Sequence, residues 1–335
     1  SISVLKGPNA SALYGSRAGN GVILITTKTG SKADGLGISI NSNLTMDNPM
    51  YLPEFQNEYA QGTLGGAYTD ILTDFGSSSW GPKMGAEQMY FDGRPRRAQA
   101  YPDNVKDFFD TGIKASTSLS IQDASEKGSV RFSYTNNDHK GIIPSSTLVS
   151  HNFNLRGVMN LSDKLTVDAK ATYFTQEVNN RQFLGGEGIM GPLYQMPRSV
   201  DIKDLEQYQV DNPGTPEEYV VRNYAGPNSQ TANPYWMANH DTQKERRNRF
   251  FGFAKVNYEF TDWLSAFVRV GADITEMKNK TVTKPGHHFY RGGRMDVATN
   301  SYGELNTDVL ITAKKDLTSD LNLVLNIGGG LSKRT

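Results

Sequence analysis

The sequence has no cysteine, no surplus of either charge and no long apolar run, and each absence closes off a class of protein. Without cysteine there is no disulfide framework, no thiolate metal site and no cysteine nucleophile. The absence also suits an oxidising compartment, where a stray thiol is a hazard. The 35 basic and 35 acidic residues cancel, so no overall field points to nucleic acid or to an acidic partner. The longest purely apolar run is Val22 to Ile25, far short of the roughly 20 residues a membrane helix needs. Low mean hydropathy does not exclude a barrel, because a barrel strand is apolar on one face only.

No catalytic constellation stands out either. The five histidines are His139, His151, His240, His287 and His288. Only His287-His288 looks metal-like, and neighbours in an extended segment point opposite ways. The carboxylates are scattered, with no acid pair and no nucleophile beside a base. Gly15-Ser16-Arg17-Ala18-Gly19-Asn20-Gly21 superficially resembles a phosphate loop. That fingerprint requires a helix after the glycines, and here the β-branched Val22 to Thr29 follows. No enzyme, no cofactor and no metal is expected.

What is present is alternation of period two, the signature of strands with one apolar face. Leu36, Ile38, Ile40, Leu44 and Met46 alternate with Gly37, Ser39, Asn41, Asn43 and Thr45. Nine such segments follow the opening strand, near 36–46, 113–122, 129–137, 151–161, 164–176, 249–260, 263–276, 303–315 and 320–332. Most match the ~9–11 residues of a tilted membrane-crossing strand. The connections alternate too. Those at 47–112, 138–150, 177–248 and 277–302 are extended, and those between them are tight. Outer-membrane barrels sort their loops this way, with short periplasmic turns and long extracellular loops. Tyr258, Phe260 and Trp263 flank one tight turn, and Tyr134, Phe153, Tyr173, Phe174, Phe250 and Phe251 lie near the opposite strand ends. The two sets are placed as interfacial girdles. A signal peptide is needed to reach the outer membrane, and the chain opens directly on Ser1-Ile2-Ser3-Val4-Leu5, so Ser1 is not expected to start the gene product.

The first 30 residues differ from the rest. The stretch from Val4-Leu5-Lys6-Gly7-Pro8 through Leu13-Tyr14-Gly15, continued by Gly21-Val22-Ile23, resembles the end of the plug domain of TonB-dependent receptors. Further segments narrow the resemblance to the SusC/RagA family of nutrient importers from Bacteroidota. They are Glu54-Phe55-Gln56-Asn57-Glu58-Tyr59, Ser79-Trp80-Gly81-Pro82-Lys83 and Asn104-Val105-Lys106-Asp107-Phe108-Phe109. Later come Lys140-Gly141-Ile142-Ile143-Pro144, Asn233-Pro234-Tyr235-Trp236 and Thr261-Asp262-Trp263-Leu264.

The resemblance implies an all-β fold, a transmembrane antiparallel β-barrel of about 22 strands around a plug. Residues 1–30 would be the C-terminal part of the plug, and 31–335 the first nine or so strands. It also implies TonB-dependent import of an oligosaccharide, glycan or peptide. The partners would be TonB-ExbB-ExbD, engaged through an N-terminal region, a SusD-like surface lipoprotein as lid, and outer-membrane lipid and lipopolysaccharide. Lys6, Gly7, Tyr14, Gly15 and Arg17 are placed at the plug–barrel interface. Lys6 and Arg17 are expected to pair with lumen-facing acids such as Asp168 or Asp308, since a plug that must yield to force suits hydrated, charge-assisted contacts. Trp80, Tyr90, Tyr194, Tyr224, Tyr235 and Trp236 are candidates to stack on substrate or touch the lid, or else to pack the long loops. Asn233-Pro234-Tyr235-Trp236 reads as a turn with a packed aromatic pair. The basic run Lys244 to Arg249 reads as a solvated rim. A siderophore or cobalamin receptor, or a non-transporting surface barrel or adhesin, is the alternative function.

Overall fold

In the computed structural model the described residues are all but 1, 7–9, 12–17, 33–36, 69–75, 184, 186–187, 213–214, 226–231, 286, 288–289, 291 and 319–320. Most of the chain is one antiparallel meander. Its strands are β3 (Ile38–Asp47), β6 (Gly112–Ser125), β7 (Gly128–Lys140), β8 (Thr147–Ser162), β9 (Leu165–Asn179), β12 (Asp241–Thr261), β13 (Leu264–Thr283), β14 (Arg294–Thr318) and β15 (Leu321–Arg334). They hydrogen-bond in that order, so each strand lies beside its neighbour in this series. Strands β3 and β15 are the two edges, and the sheet does not close.

The register turns the sequence alternation into a face. Ile40 pairs with Leu119, Leu119 with Tyr134, Tyr134 with Phe153, Phe153 with Tyr173, Tyr173 with Phe250 and Phe250 with Ile274. Parallel rows such as Val256, Val268 and Val309 lie beside this one. Because directly opposed residues share a side of the sheet, all the apolar sets fall on one surface. On β14 the Ile40 row meets Gly303, with Met295 and Val297 to one side of it on the same face and Leu305, Val309 and Ile311 to the other.

This surface is bare. Ile40 is 69% exposed, and Leu44, Leu155, Met159, Ile274 and Ile327 are all at least half exposed. Among the described residues, Val178 is the one buried apolar residue that belongs to the nine strands. No helix among the described residues is long and apolar enough to cross a membrane.

Two details depart from the sequence reading. The strands run further at the long-loop end, so the connection expected at 277–302 is only 284–293, and the one expected at 138–150 is only 141–146. There β12 carries charge on both faces, with Lys244 pairing Glu177 at 2.8 Å and Arg181 pairing Glu245 at 3.4 Å. Where both faces meet water, alternation of apolar and polar residues carries no advantage and leaves no signal. The basic run from Lys244 to Arg249 lies in this outer part of β12. Finally, Phe174 and Phe251 are one residue out of phase with Tyr173 and Phe250 and point to the polar face. Phe251 there lies under Arg249, 4.7 Å from its ring centre, instead of joining a girdle.

Three small strand pairs and three short α-helices lie outside this sheet among the described residues. Strands β1 (Ile2–Leu5) and β2 (Val22–Ile25) form an opening hairpin. The two long connections hold the ribbons β4 (Glu87–Met89) with β5 (Pro95–Arg97), and β10 (Gln209–Asn212) with β11 (Thr215–Val221). They also hold the short helices α1 (Asn104–Phe108), α2 (Met190–Gln195) and α3 (Pro234–His240).

Candidate functional site

After β2 the chain crosses the polar face of the sheet, and the residues there hold it by specific contacts. Arg156 faces inward because it alternates with the outward Leu155 and Gly157. Its Nε and Nη2 donate to the two carboxylate oxygens of Asp168 at 3.1 and 2.8 Å. Its Nη1 donates to the carbonyl and hydroxyl oxygens of Thr27 at 3.0 and 2.9 Å. Gln122 Nε2 donates to Ser31 Oγ at 2.8 Å. Between these points Gly30 passes so close that a Cβ would lie 2.5 Å from the Val130 carbonyl oxygen. Only glycine allows that approach. Beside this connector lies a cavity of 1030 Å³ with a hydroxyl- and amide-rich wall that includes Ser39, Asn41, Ser118, Ser120, Ser133 and Thr135. A surface of this kind stays hydrated and offers no greasy seal.

The expected plug contacts are placed only in part. Lys6 is exposed, and Gly7, Tyr14, Gly15 and Arg17 lie outside the described residues. Asp168 is paired with Arg156, and Asp308 with Arg269 at 2.7 Å. Among the described residues the charge-assisted contact to the connector comes from the wall, through Arg156. Arg156 was findable as the one arginine at an inward position of the 151–161 alternation. Nothing in that pattern marked Thr27 as its partner.

The loop aromatics divide by burial. Residues 48–111 and 180–240 share one apolar core, in which Phe108, Leu193, Leu205, Tyr224 and Trp236 are fully buried. Asn233 organises it. Its side-chain oxygen caps α3 by accepting from the Tyr235 and Trp236 amides at 2.8 and 3.3 Å, with Pro234 at the first helical position. Its amide donates to the carbonyls of Leu205 and Arg222 at 2.9 and 2.8 Å. So Asn233-Pro234-Tyr235-Trp236 is a capped helix start rather than a turn, the arrangement asparagine and proline favour at a helix N-terminus. Tyr224 donates to the Pro192 carbonyl at 2.7 Å. Tyr90 is buried, donates to Asp204 at 2.9 Å and lies beneath Arg96. Burial, with the Asp204 charge beside it, holds its hydroxyl well above the usual tyrosine range. Tyr90, Tyr224 and Trp236 have no free face for a ligand. Tyr235 is half-buried and packs on Phe108, 5.1 Å between ring centres. Trp80 and Tyr194 stay open to solvent, packed on Tyr59 and Phe55 respectively.

A feature with no sequence signal stands beside Trp80. Thr63 and Gly66 exchange two backbone hydrogen bonds across Leu64 and Gly65, both with positive φ, 49° and 79°. This is a tight primed-type hairpin turn. It holds Leu64 at its tip, 98% exposed.

A meander of long strands with a bare apolar face, loops gathered at one end and a segment seated on the polar face defines a sector of an outer-membrane-type barrel with an occupied lumen. Comparison with known proteins agrees. No family model matches the chain. The TonB-dependent receptor SusC of Bacteroides thetaiotaomicron is 25% identical over 343 residues, covering 98% of this chain and 32% of that protein. A TonB-dependent receptor of Formosa agariphila is 30% identical over 177 residues, 52% of this chain and 16% of that protein. The fold is that of the RagAB peptide importer, with TM-scores of 0.70 and 0.69 to its open-open and closed-closed states. Identity is 18% and 17%, and 99% of this chain covers 39% of the importer chain in each. The chain is thus similar in sequence to TonB-dependent receptors of the SusC type and in fold to the RagAB importer, and it spans about a third of the length of the SusC relative.

Proposed function

We propose that the complete protein sits in the outer membrane and imports a nutrient under the drive of TonB, ExbB and ExbD, with residues 1–30 as the end of its plug. The observation that carries this reading is the connector from Thr26 to Lys32, clamped on the polar face by Arg156 and Gln122. A segment crossing a lumen in this way blocks free diffusion and has to be moved by work. The opposite, apolar face is the lipid-facing one, in contact with lipid and with lipopolysaccharide at its outer margin. The cargo class is an oligosaccharide, glycan or peptide, and Trp80 and Tyr194 are the aromatics left to meet it or the lid. The two long connections form the platform for a SusD-like lipoprotein lid; their shared core makes them an ordered surface rather than loose loops.

Cells with and without the full-length protein, given labelled oligosaccharide and oligopeptide pools, test this directly. Uptake that requires the protein and stops when the proton gradient is collapsed is expected. Uptake that continues after the collapse would remove TonB from the reading, and unchanged surface binding without uptake would leave an adhesin.

A further inference from the structure

The connector and the wall together enclose a cavity of about 200 Å³ lined by Thr27, Lys28, Arg131, Ser133, Asn154, Leu155, Arg156 and Lys170. Four of these eight residues are cationic and none is acidic. Asp168 answers Arg156 from behind. Arg131 is held by the neutral Gln122, and Lys170 lies 5.5 Å over the ring of Phe251. Among the described residues no carboxylate pairs with Lys28, Arg131 or Lys170. Arg131, Arg156 and Lys170 are half-buried and Lys28 is exposed beside them; cations brought together without acids repel one another, and that repulsion is relieved by an anion between them. Ser133 adds a hydroxyl to the same lining, and the space suits a group the size of a carboxylate, phosphate or sulfate.

We propose that this cavity is an oxyanion site, and that it is complete only while the connector is seated. Arg131, Arg156 and Lys170 belong to the wall, but Lys28 arrives with the connector, positioned by the Arg156 bonds to its neighbour Thr27. An anion here holds connector and wall together, and withdrawing the connector removes one of the four cations from it. The anionic group is carried either by a diffusible ligand in the lumen or by a carboxylate of the protein's own plug; the chemistry is the same.

Hydrogen exchange of the connector amides in the full-length protein, with inorganic phosphate as probe and chloride at equal ionic strength as control, separates the sources. With a diffusible anion, phosphate slows exchange at residues 27–32 by about tenfold, the equivalent of one charge-assisted contact. Lys28→Gln and Lys170→Gln abolish that slowing, while Lys170→Arg retains it. With a plug carboxylate in place, phosphate has no effect on the wild type, but both glutamine variants speed connector exchange and the arginine variant does not. Connector exchange that responds neither to phosphate nor to the loss of either lysine overturns the proposal. The measurement involves no uptake, so its failure leaves the import reading standing, and loss of uptake does not decide this site.

Discussion

At the scale of single residues, one position along a strand decides between lipid and lumen. Ile40 and Asn41 are adjacent in β3, yet Ile40 stands in the apolar row with Leu119 while Asn41 lines the polar cavity. Ile40→Arg should therefore cost ~2–4 kcal/mol of folding stability in a bilayer, and Asn41→Arg little. Denaturant titration of the full-length protein in liposomes reads the difference, and equal costs at the two positions would overturn the assignment of the faces. Asn233 is the other position where a single side chain has several tasks, since it serves two amides and two carbonyls. Asn233→Ala should weaken the loop core by about 1–3 kcal/mol, because it leaves buried groups without partners. Faster proteolysis in both 48–111 and 180–240 would report it. Arg156 and Thr27 were both visible as residues, but their contact was not, because 129 positions separate them.

At the scale of elements, the two long connections behave as one body. Trp236 on α3 packs in the same cluster as Tyr90 and Phe108 from the other connection. Trp236→Ala should cost ~3–5 kcal/mol, and the loss should appear as faster hydrogen exchange in both 87–108 and 190–240. Exchange that rises only around α3 would mean that the loops fold separately. The same core should respond to acid. Burial, aided by the Lys284 charge, lowers the pKa of His240 below its ordinary value of 6.5. The folded loops thus hold the neutral imidazole, and the unfolded chain takes up the proton first as pH falls. Stability contributed by the neutral ring is present above about pH 6.5 and is lost on going below it toward the folded-state value. Exchange around Trp236 should quicken between pH 7.5 and 5.5, and His240→Gln should flatten that dependence.

At the scale of the whole molecule, the apolar core lies in the loops and the apolar face of the sheet is bare, the reverse of a water-soluble sandwich. The shared loop core also means that deleting 180–240 would strip the cover from 48–111, so loss of a partner after such a deletion would not locate its docking site. Leu64 and Trp80 offer a cleaner probe, since both are exposed on a hydrogen-bonded turn. On the proposed reading, Leu64→Asp with Trp80→Ala reduces co-purification of the SusD-like lipoprotein about tenfold or more, the scale of a lost hot spot. Retention at the wild-type level, with the barrel inserted, would place the lid's contact elsewhere.

The sequence by itself determined the strands, their lipid-facing residues and the order in which they pair. A period of two is local, and in a meander each strand meets the next one along the chain. It also marked the two longest connections, because apolar alternation stops there. Only the tertiary structure showed how far the strands continue at that end, where backbone bonds and ion pairs such as Lys244 with Glu177 leave no periodic trace. It alone merged the two long connections into one core, sorted their aromatics into buried and open, and set Arg156 on Thr27. Those outcomes depend on contacts between residues far apart in the chain, where no spacing rule connects one residue to its partner.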